Sequence, residues 1–330
     1  MAISNTGLTP GLSKRTAFGF QLQDVEGTQV SDSILWLPVD GTVDFRRRGN
    51  RTFHRQADYV DGEHLHYSAG QWAQGSIPFI LPANATALTA LFSWIFDRDD
   101  YNQGALASVY KYSSWAATPR RESWIDAKVE EARFTFEKGR PVGLSLSICA
   151  RKPGTWSGSP DMLTVGGPLL YKETKAEIDV DGETLAVTRE LERAEIVHNN
   201  DVENPAEGLR LCYDDDGGTY PAHIYNKGAA MVSGRLSRDF VNDTYGAAFL
   251  SQLADDFGDS YDGTMKFTVA RGGVGFTLQA NRVQWLDGAD GPDYPGSNDA
   301  RLTQDIEWHA LMENTATTPT GPIAYTITGA

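Results

Sequence analysis

The sequence predicts a mainly β protein with two antiparallel β units in tandem, each flanked by one α-helix. Several short segments alternate apolar and polar residues, which is typical of strands with one buried and one solvated face. Two other segments carry apolar residues at helical spacing. The order of cap, helix, acidic turn, glycine and strand occurs twice, 159 residues apart in a chain of 330 residues. This spacing indicates that the two halves share one organisation.

The first helix is predicted over residues 84–97 and the second over residues 243–256. Asn84 and Asp243 are suited to cap the two N-termini, because their side chains can accept hydrogen bonds from free backbone N–H groups. Both helices are short, so packing on a sheet must stabilise them. The apolar stripe of the first helix consists of Leu88, Leu91, Phe92 and Ile95.

The strands are predicted from period-two alternation. One hairpin is expected within residues 133–150 and another within residues 266–280, with the pair Gly272 and Gly273 at the second turn. A final strand is expected at residues 302–310, and its predicted apolar face carries Leu302, Ile306, Trp308 and Ala310.

Loop-like composition marks the predicted domain boundaries. Two clusters of Gly and Pro lie between residues 151 and 168, which is typical of a linker. We expect an N-terminal arm (1–17), a first β domain (18–152), a linker (153–170), a second β domain (171–314) and a C-terminal tail (315–330).

The charge is unevenly distributed. The chain has 29 basic and 44 acidic residues, a net charge of −15. Residues 1–165 carry 17 of each sign, whereas residues 166–330 carry 12 basic and 27 acidic residues. This acidity argues against a groove that grips DNA, because such affinity comes mainly from Lys and Arg on the phosphates.

Motifs for catalysis or cofactor binding are not found. The Gly-x-Ser-x-Gly turn of many hydrolases does not occur, and the glycine cluster at 272–275 lacks the Lys-Ser/Thr of a phosphate loop. His64 and His66 share a strand face without an identifiable third metal ligand. The acidic clusters at 255–263 and 287–293 do not follow the EF-hand order, although calcium binding there stays open. We therefore expect no enzyme, no cofactor and no metal site.

Two further features bear on the compartment. Cys149 and Cys212 are the only cysteines, and we expect both to be small buried side chains in a reducing compartment. The longest strongly apolar run, residues 87–96, is too short to span a bilayer. We expect no signal peptide and no membrane association.

One basic segment departs from the general acidity. Residues 46–55 contain five arginines and are predicted to form a loop. The segment could contact an anion or nucleic acid, but we favour docking on an acidic surface of a neighbouring copy. The candidate contact residues are Arg46, Arg47, Arg48, Arg51 and Arg55.

The repeated order of features resembles the two-domain tail-tube proteins of long-tailed bacteriophages, over roughly residues 15–315. The most similar parts are residues 75–82, which run into the helix at Asn84, and residues 234–240, which run into the helix at Asp243. The resemblance implies two tandem tail-tube-like sandwich or half-barrel domains in a structural virion protein. Trimeric rings that imitate a six-fold ring would stack into a tube, whose inner β-barrel conducts DNA from capsid to host.

The resemblance also implies partners and surfaces. These are further copies of the chain, the tape measure protein, the tail-terminator and distal tail proteins, and double-stranded DNA in transit, with assembly in the host cytoplasm. The arginine segment would contact the next ring. The corresponding part of the second unit, around residues 199–225, is acidic, and its run Asp214, Asp215 and Asp216 is a candidate partner or channel surface.

Two other classes of protein stay open. A carbohydrate-binding β-module would use exposed aromatic rings, for which Trp72, Trp115, Trp124 and Trp156 are the candidates near loops. Large aromatic residues in β proteins are more often part of the core. A tube or baseplate component of a contractile injection system is a closer alternative.

We predict that the triple substitution R46E/R47E/R48E abolishes tube growth and leaves the subunit folded, because reversed charge would repel the acidic partner surface. Negative-stain electron microscopy and circular dichroism of the purified variant measure the two effects. Tubes of normal length from this variant would contradict the assignment.

Overall fold

The computed structural model describes residues 16–54, 65–114, 119–161, 167–180, 183–186, 191–205, 211–213, 219–221, 223–239, 263–286, 303–311 and 321–329. These residues are mainly β, with 17 strands and one α-helix. The elements of the first half are β1 (Thr16–Gln23), β2 (Leu35–Leu37), β3 (Asp44–His54), β4 (Leu65–Ile80), α1 (Ala85–Phe96), β5 (Leu106–Ser113), β6 (Arg120–Glu137) and β7 (Gly143–Pro153). Those of the second half are β8 (Thr174–Val180), β9 (Glu183–Ala186), β10 (Leu191–Asn199), β11 (Leu211–Tyr213), β12 (Thr219–Pro221), β13 (Met231–Asp239), β14 (Gly263–Arg271), β15 (Val274–Trp285), β16 (Thr303–Ala310) and β17 (Ala324–Thr328).

Fifteen of the described strands form one antiparallel sheet that does not close into a barrel. Strand β6 joins its two halves. One edge of β6 pairs with β7, and the other edge pairs first with β5 and then with β10, where Phe134 lies opposite Ile196. From β10 the sheet continues through β13, β16, β15, β14 and β8 to β9. The predicted mainly β fold is confirmed, and the strands of the two halves are hydrogen-bonded into a continuous sheet.

The two predicted hairpins are confirmed and are longer than the alternation indicated. Strands β6 and β7 pair up to Thr135 and Gly143, and β14 pairs with β15 up to Arg271 and Val274. At the tip of the second hairpin Gly272 and Gly273 have φ angles of +60° and +87°. A two-residue turn with both φ angles positive matches the twist of antiparallel strands and favours glycine.

Helix α1 begins as predicted. The side chain of Asn84 accepts a hydrogen bond from the Ala87 N–H at 2.9 Å, which caps the N-terminus. The buried face of α1 packs against β6, β15, β17 and β1, so this helix contacts strands from both halves. The second predicted helix, which would begin at Asp243, lies outside the described residues.

A cluster of aromatic rings holds α1 on the sheet. The ring of Phe92 lies 5.6 Å from that of Phe134, 4.9 Å from Phe276 and 5.6 Å from Tyr325. These rings belong to the largest core cluster, which contains residues of both halves. Aromatic rings at such separations contribute about 0.5–1.5 kcal/mol per pair beyond their buried area. Helix, first half and second half therefore share one core.

The prediction that the arginine segment forms a loop is wrong. Residues 46–54 form most of strand β3, with Arg46 opposite Gln74 and Arg48 opposite Trp72 on β4. Residues 46–49 are all exposed. Because neither face of this stretch is buried, its sequence shows no apolar alternation from which a strand could be predicted.

The predicted C-terminal tail contains a strand. Residues 324–328 form β17, which pairs with β15 and places Ile327 opposite Phe276. The Tyr325 hydroxyl donates a hydrogen bond to the Asp97 carboxylate at 2.7 Å. Within the predicted linker, Leu169 is fully buried. The division into two domains at residues 153–170 stays a prediction.

A buried polar cluster, which we call the polar junction, connects the turn after α1 with the second half. Asn200 donates to the carbonyl oxygens of Ile95 and Val129 at 2.9 and 3.1 Å, and it accepts from Arg98 at 3.0 Å. The Lys128 ammonium donates to the Asn226 side chain at 2.9 Å, and burial lowers the Lys128 pKa to about 8. Buried polar groups are costly unless hydrogen-bonded, so these bonds fix how the turn meets the second half.

His198 lies beside this junction. Its ring Nε2 is 2.9 Å from the Asn200 side-chain oxygen, and its ring packs edge-on against Phe96 with centroids 4.7 Å apart. Nδ1 has no hydrogen-bond partner among the described residues. Burial lowers the His198 pKa to about 4, the Asn200 hydrogen bond opposes this, and the nearby Arg98 charge lowers it further. At neutral pH the folded protein therefore holds a neutral imidazole here.

Truncation of Phe92 tests the shared core. We expect F92A to lower the free energy of unfolding by about 3–5 kcal/mol, because it removes buried surface and leaves a cavity where both halves meet. The surface substitution Y101A is the control, since Tyr101 is 85% exposed, and it should change the value by less than about 0.5 kcal/mol. Urea unfolding followed by fluorescence and circular dichroism gives both values. Equal values for F92A and Y101A would contradict a shared core.

The lowered pKa of His198 predicts that the protein loses stability in mild acid. Between pH 6.5 and pH 4 the unfolded chain binds a proton at this residue and the folded chain does not, so the free energy of unfolding falls as pH falls. The shift implies a loss of about 3 kcal/mol across that range. We expect H198Q to lack this part of the pH dependence and H309Q, at an exposed histidine, to keep it. Parallel pH profiles for wild type and H198Q would contradict the assignment.

Candidate functional site

The solvent-facing side of the central strands is the first candidate surface. In β10, β13, β16 and the end of β6, every second side chain enters the core and the others face solvent. We call the latter set the polar face. It includes the charged residues Glu131, Arg133, Glu137, Arg193, Glu195, Arg235, Asp305 and Glu307. The predicted wet face of the sheet is thereby confirmed.

The arginines of the polar face are paired with carboxylates. Arg133 lies 2.9 Å from Glu195, and Arg193 lies 3.4 Å from the same carboxylate. Arg235 lies 2.6 Å from Asp305. Burial alone would raise the pKa of Asp305, but hydrogen bonds from Ser237 and Arg235 keep that pKa below its ordinary value. Exposed pairs of this kind add little stability. Among the charged residues named above, five carboxylates outnumber three arginines. Each arginine has a carboxylate partner, and Arg133 also lies 3.2 Å from Glu131.

The polar face continues onto neighbouring strands with small uncharged side chains. Ser147 of β7 pairs with Ser76 of β4 on one side and with Glu131 of β6 on the other. Ser145 and Thr135 extend the same surface. This part of the sheet therefore adds hydroxyl groups to the polar face.

The second candidate surface is a basic pocket of about 480 Å³ between β3, β5, β6 and the loop after β7. Its lining residues also include Trp124 and Trp156. The cationic side chains that line it are Arg46, Arg47, Lys111, Arg120 and Arg121. Since the chain as a whole is strongly acidic, this concentration of positive charge is a distinctive local feature.

Main-chain carbonyl groups hold two of these cations in place. Lys111 Nζ donates to the Phe45 carbonyl at 2.8 Å. Arg121 Nε donates to the Gly158 carbonyl at 2.7 Å, and its guanidinium lies 5.9 Å from the centre of the Tyr112 ring. Burial lowers the pKa of Lys111, and the Arg120 and Arg46 charges lower it further against the opposing effect of Glu122. The pocket therefore has a positive potential that favours an anion.

The sequence-predicted contact residues are only partly assembled here. Arg46 and Arg47 line the basic pocket, whereas Arg48, on the same strand, does not. Arg51 lies on β3 with its side chain outside the described part, and Arg55 lies outside it altogether. The acidic run Asp214, Asp215 and Asp216 also lies outside, so its predicted role is untested.

The residues that sequence reasoning missed come from distant segments. The pairing of β5 with β6 brings Lys111 close to Arg120 and Arg121. The hydrogen bond from Lys111 to the Phe45 carbonyl links them to Arg46 and Arg47 on β3, and Trp156 completes the lining. The doublet at 120–121 is a local signal of positive charge, but its proximity to β3 depends on the fold.

The structure also describes some of the cysteines and tryptophans that the sequence analysis names. Cys149 is a buried free thiol, and burial raises its pKa well above the ordinary value; the side chain of Cys212 is not described. Trp72 and Trp124 are each 5% exposed, so neither presents a ring face to a sugar. Trp115 lies outside the described residues.

The described residues contain neither a metal cluster nor a membrane-spanning helix. In the described ranges no group of three or more His, Cys, Asp or Glu side chains could hold a metal ion. In those ranges, too, no helix is long and apolar enough to cross a membrane.

Comparison with known proteins identifies the family. The sequence model of the family described as phage tail tube protein matches residues 19–310. No curated protein matches the chain. The family consists of structural proteins of the virion tail that assemble into a tube, and it is not a family of enzymes. The mainly β sheet with its wet polar face and single described helix is consistent with that fold, and the chain belongs to the phage tail tube protein family.

Proposed function

We propose that this chain closes into trimeric rings that imitate a six-fold ring, and that the rings stack into the tail tube of a long-tailed phage. The supporting observation is the organisation of one chain as two β halves on a single sheet. Three such chains would supply six β units. In this arrangement each ring is a homotrimer, and the tube delivers double-stranded DNA to the host.

Open sheet edges support ring closure. Among the described strands β2 pairs only with β1, β3 only with β4, and β9 only with β8. A strand with an unpaired edge has free N–H and C=O groups that a neighbouring chain can pair with. A barrel made of several copies removes such edges, and it explains why one copy does not form a closed barrel.

The polar face is the surface we assign to the channel. Its opposite side carries the core and α1, so only one side of the sheet can meet water in the lumen. DNA is bound non-specifically through Lys and Arg on its phosphates. The arginines of the polar face are paired with carboxylates, and the adjoining strands present Ser and Thr. DNA would therefore slide along this surface without being held.

The remaining partners follow from the same proposal. The tape measure protein would occupy the lumen before DNA enters, and the tail-terminator and distal tail proteins would meet the two ends of the tube. Assembly would take place in the host cytoplasm.

Biotin attached to one introduced cysteine distinguishes the channel surface from the outer surface, because streptavidin added after assembly reaches only the outer surface. His309 is exposed on the polar face, and Thr89 is exposed on the solvent side of α1. H309C and T89C are labelled with biotin-maleimide as free subunits, assembled, and then incubated with streptavidin, with wild type as the background for the native cysteines. We expect streptavidin along the whole tube for T89C and none along the wall for H309C.

Native mass spectrometry of the same preparations measures the number of copies per ring. Three copies support the proposal. Protein that stays monomeric, rings with another number of copies, or streptavidin along the outer wall of H309C tubes would contradict it.

A further inference from the structure

The basic pocket and an acidic turn lie at opposite ends of strand β5. Lys111 and Ser113, at the end of β5, line the pocket. The turn of residues 97–104, which carries Asp99 and Asp100, leads into the start of the strand. With eight residues at about 3.3 Å each, the two ends are roughly 23 Å apart.

The neighbouring strands β1 and β6 have their acidic and basic residues at the same two ends as β5. Gln23 of β1 lies opposite Leu106, so Asp24 and Glu26, which follow it, belong to the end with the acidic turn. Arg120 of β6 lies opposite Ser113, at the other end. The sheet therefore separates charge along its strands. We call the surface formed by Asp24, Glu26, Asp99 and Asp100 the acidic end.

The cations of the basic pocket are incompletely neutralised. Arg46 is paired with Asp44 and Arg120 with Glu122. Arg47, Lys111 and Arg121 make no ion pair with a carboxylate among the described residues. Additional carboxylates entering the pocket would relieve repulsion between these cations in a partly desolvated site.

The acidic end is held in a defined shape. The Asp99 carboxylate accepts hydrogen bonds from the backbone N–H groups of Tyr101 and Gln103 at 2.9 and 2.7 Å. Arg98 and Lys128 donate to groups of the polar junction. The charges of Asp99 and Glu26 also act on the Lys128 ammonium, and the Glu26 carboxylate lies 2.7 Å from the His223 ring. Lys227 is an exposed cation of the same region, and the carboxylates stay in excess. A preorganised turn loses little conformational entropy on binding.

We propose that the basic pocket of one copy receives the acidic end of a second copy, which joins each ring head to tail to the next. Repeated head-to-tail contacts need two different, complementary surfaces at opposite ends of one chain, and β5 separates such a pair. The inference rests on the proposed tube, and it replaces a contact of the arginine segment alone by a pocket built from β3, β5 and β6.

Charge reversal at each end tests this contact. One variant, R47E/R120E, makes the pocket acidic, and the other, D24R/D100R, makes the acidic end basic. These aspartates are exposed and are not the residue that caps the turn. We expect each variant alone to elongate at least about tenfold more slowly than wild type, because like charges then meet at every ring junction. Light scattering and negative-stain microscopy measure elongation.

Mixing the two variants separates a specific contact from a loss of folding. In an alternating stack every junction of the mixture again joins opposite charges, so we expect elongation to recover to within about threefold of the wild-type rate. The double variant K138E/R140E is the matched control. It makes the same change in net charge as R47E/R120E at two exposed residues of the β6–β7 turn, with side chains 63% and 71% exposed, and it should elongate as wild type does.

The outcomes distinguish this inference from the proposed function. Suppose that wild type forms tubes. If R47E/R120E and D24R/D100R each elongate as fast as wild type, or if elongation does not recover in their mixture, the head-to-tail contact is wrong and the tube assignment stands. If wild type forms neither rings nor tubes, the proposed function itself fails. Loss of binding to a 20-base-pair DNA duplex in R47E/R120E, with elongation unchanged, would instead identify the pocket as a nucleic-acid contact and overturn the inference.

Discussion

The pairing of strand β6 with β10 is the interaction on which the rest of the structure depends. Strand β6 is 18 residues long and serves three partners, because its first part pairs with β5 and its last part with β10 on the same edge. This arrangement places Phe134 under Phe92 and beside Phe276, so that α1 packs on strands from both halves. The polar face is continuous across the chain for the same reason.

The buried polar groups beside this pairing fix the position of the turn after α1. The polar junction satisfies Asn200 and Lys128 with several hydrogen bonds, where an apolar core would leave the turn free to shift. Such networks define one arrangement because a partly satisfied network is unfavourable. The turn held by the junction is the one that presents Asp99 and Asp100. Packing between the halves thereby controls the position of the turn that we propose as part of the acidic end.

The sequence predicts those elements whose residues meet one buried face. Asn84 and the apolar stripe of α1 predict the helix, and alternation predicts the two hairpins and β16, because each has a core on one side. Strand β3 could not be predicted in this way, since residues 46–49 are exposed on both faces. The pairing of Glu131–Glu137 with Arg193–Asn199 joins residues about sixty positions apart, and no local pattern specifies that partner. For the same reason the arginines of β3 are visible in the sequence, whereas the pocket they form with Lys111 and Arg121 is not.

A cryo-electron microscopy reconstruction of the assembled protein would test the proposed ring geometry. We expect three copies around the axis, with β6, β10, β13 and β16 lining the lumen and α1 on the outside. Arg133 and Arg235 should be seen next to their carboxylates at the channel wall. A reconstruction with α1 facing the lumen, or with six copies around the axis, would contradict it.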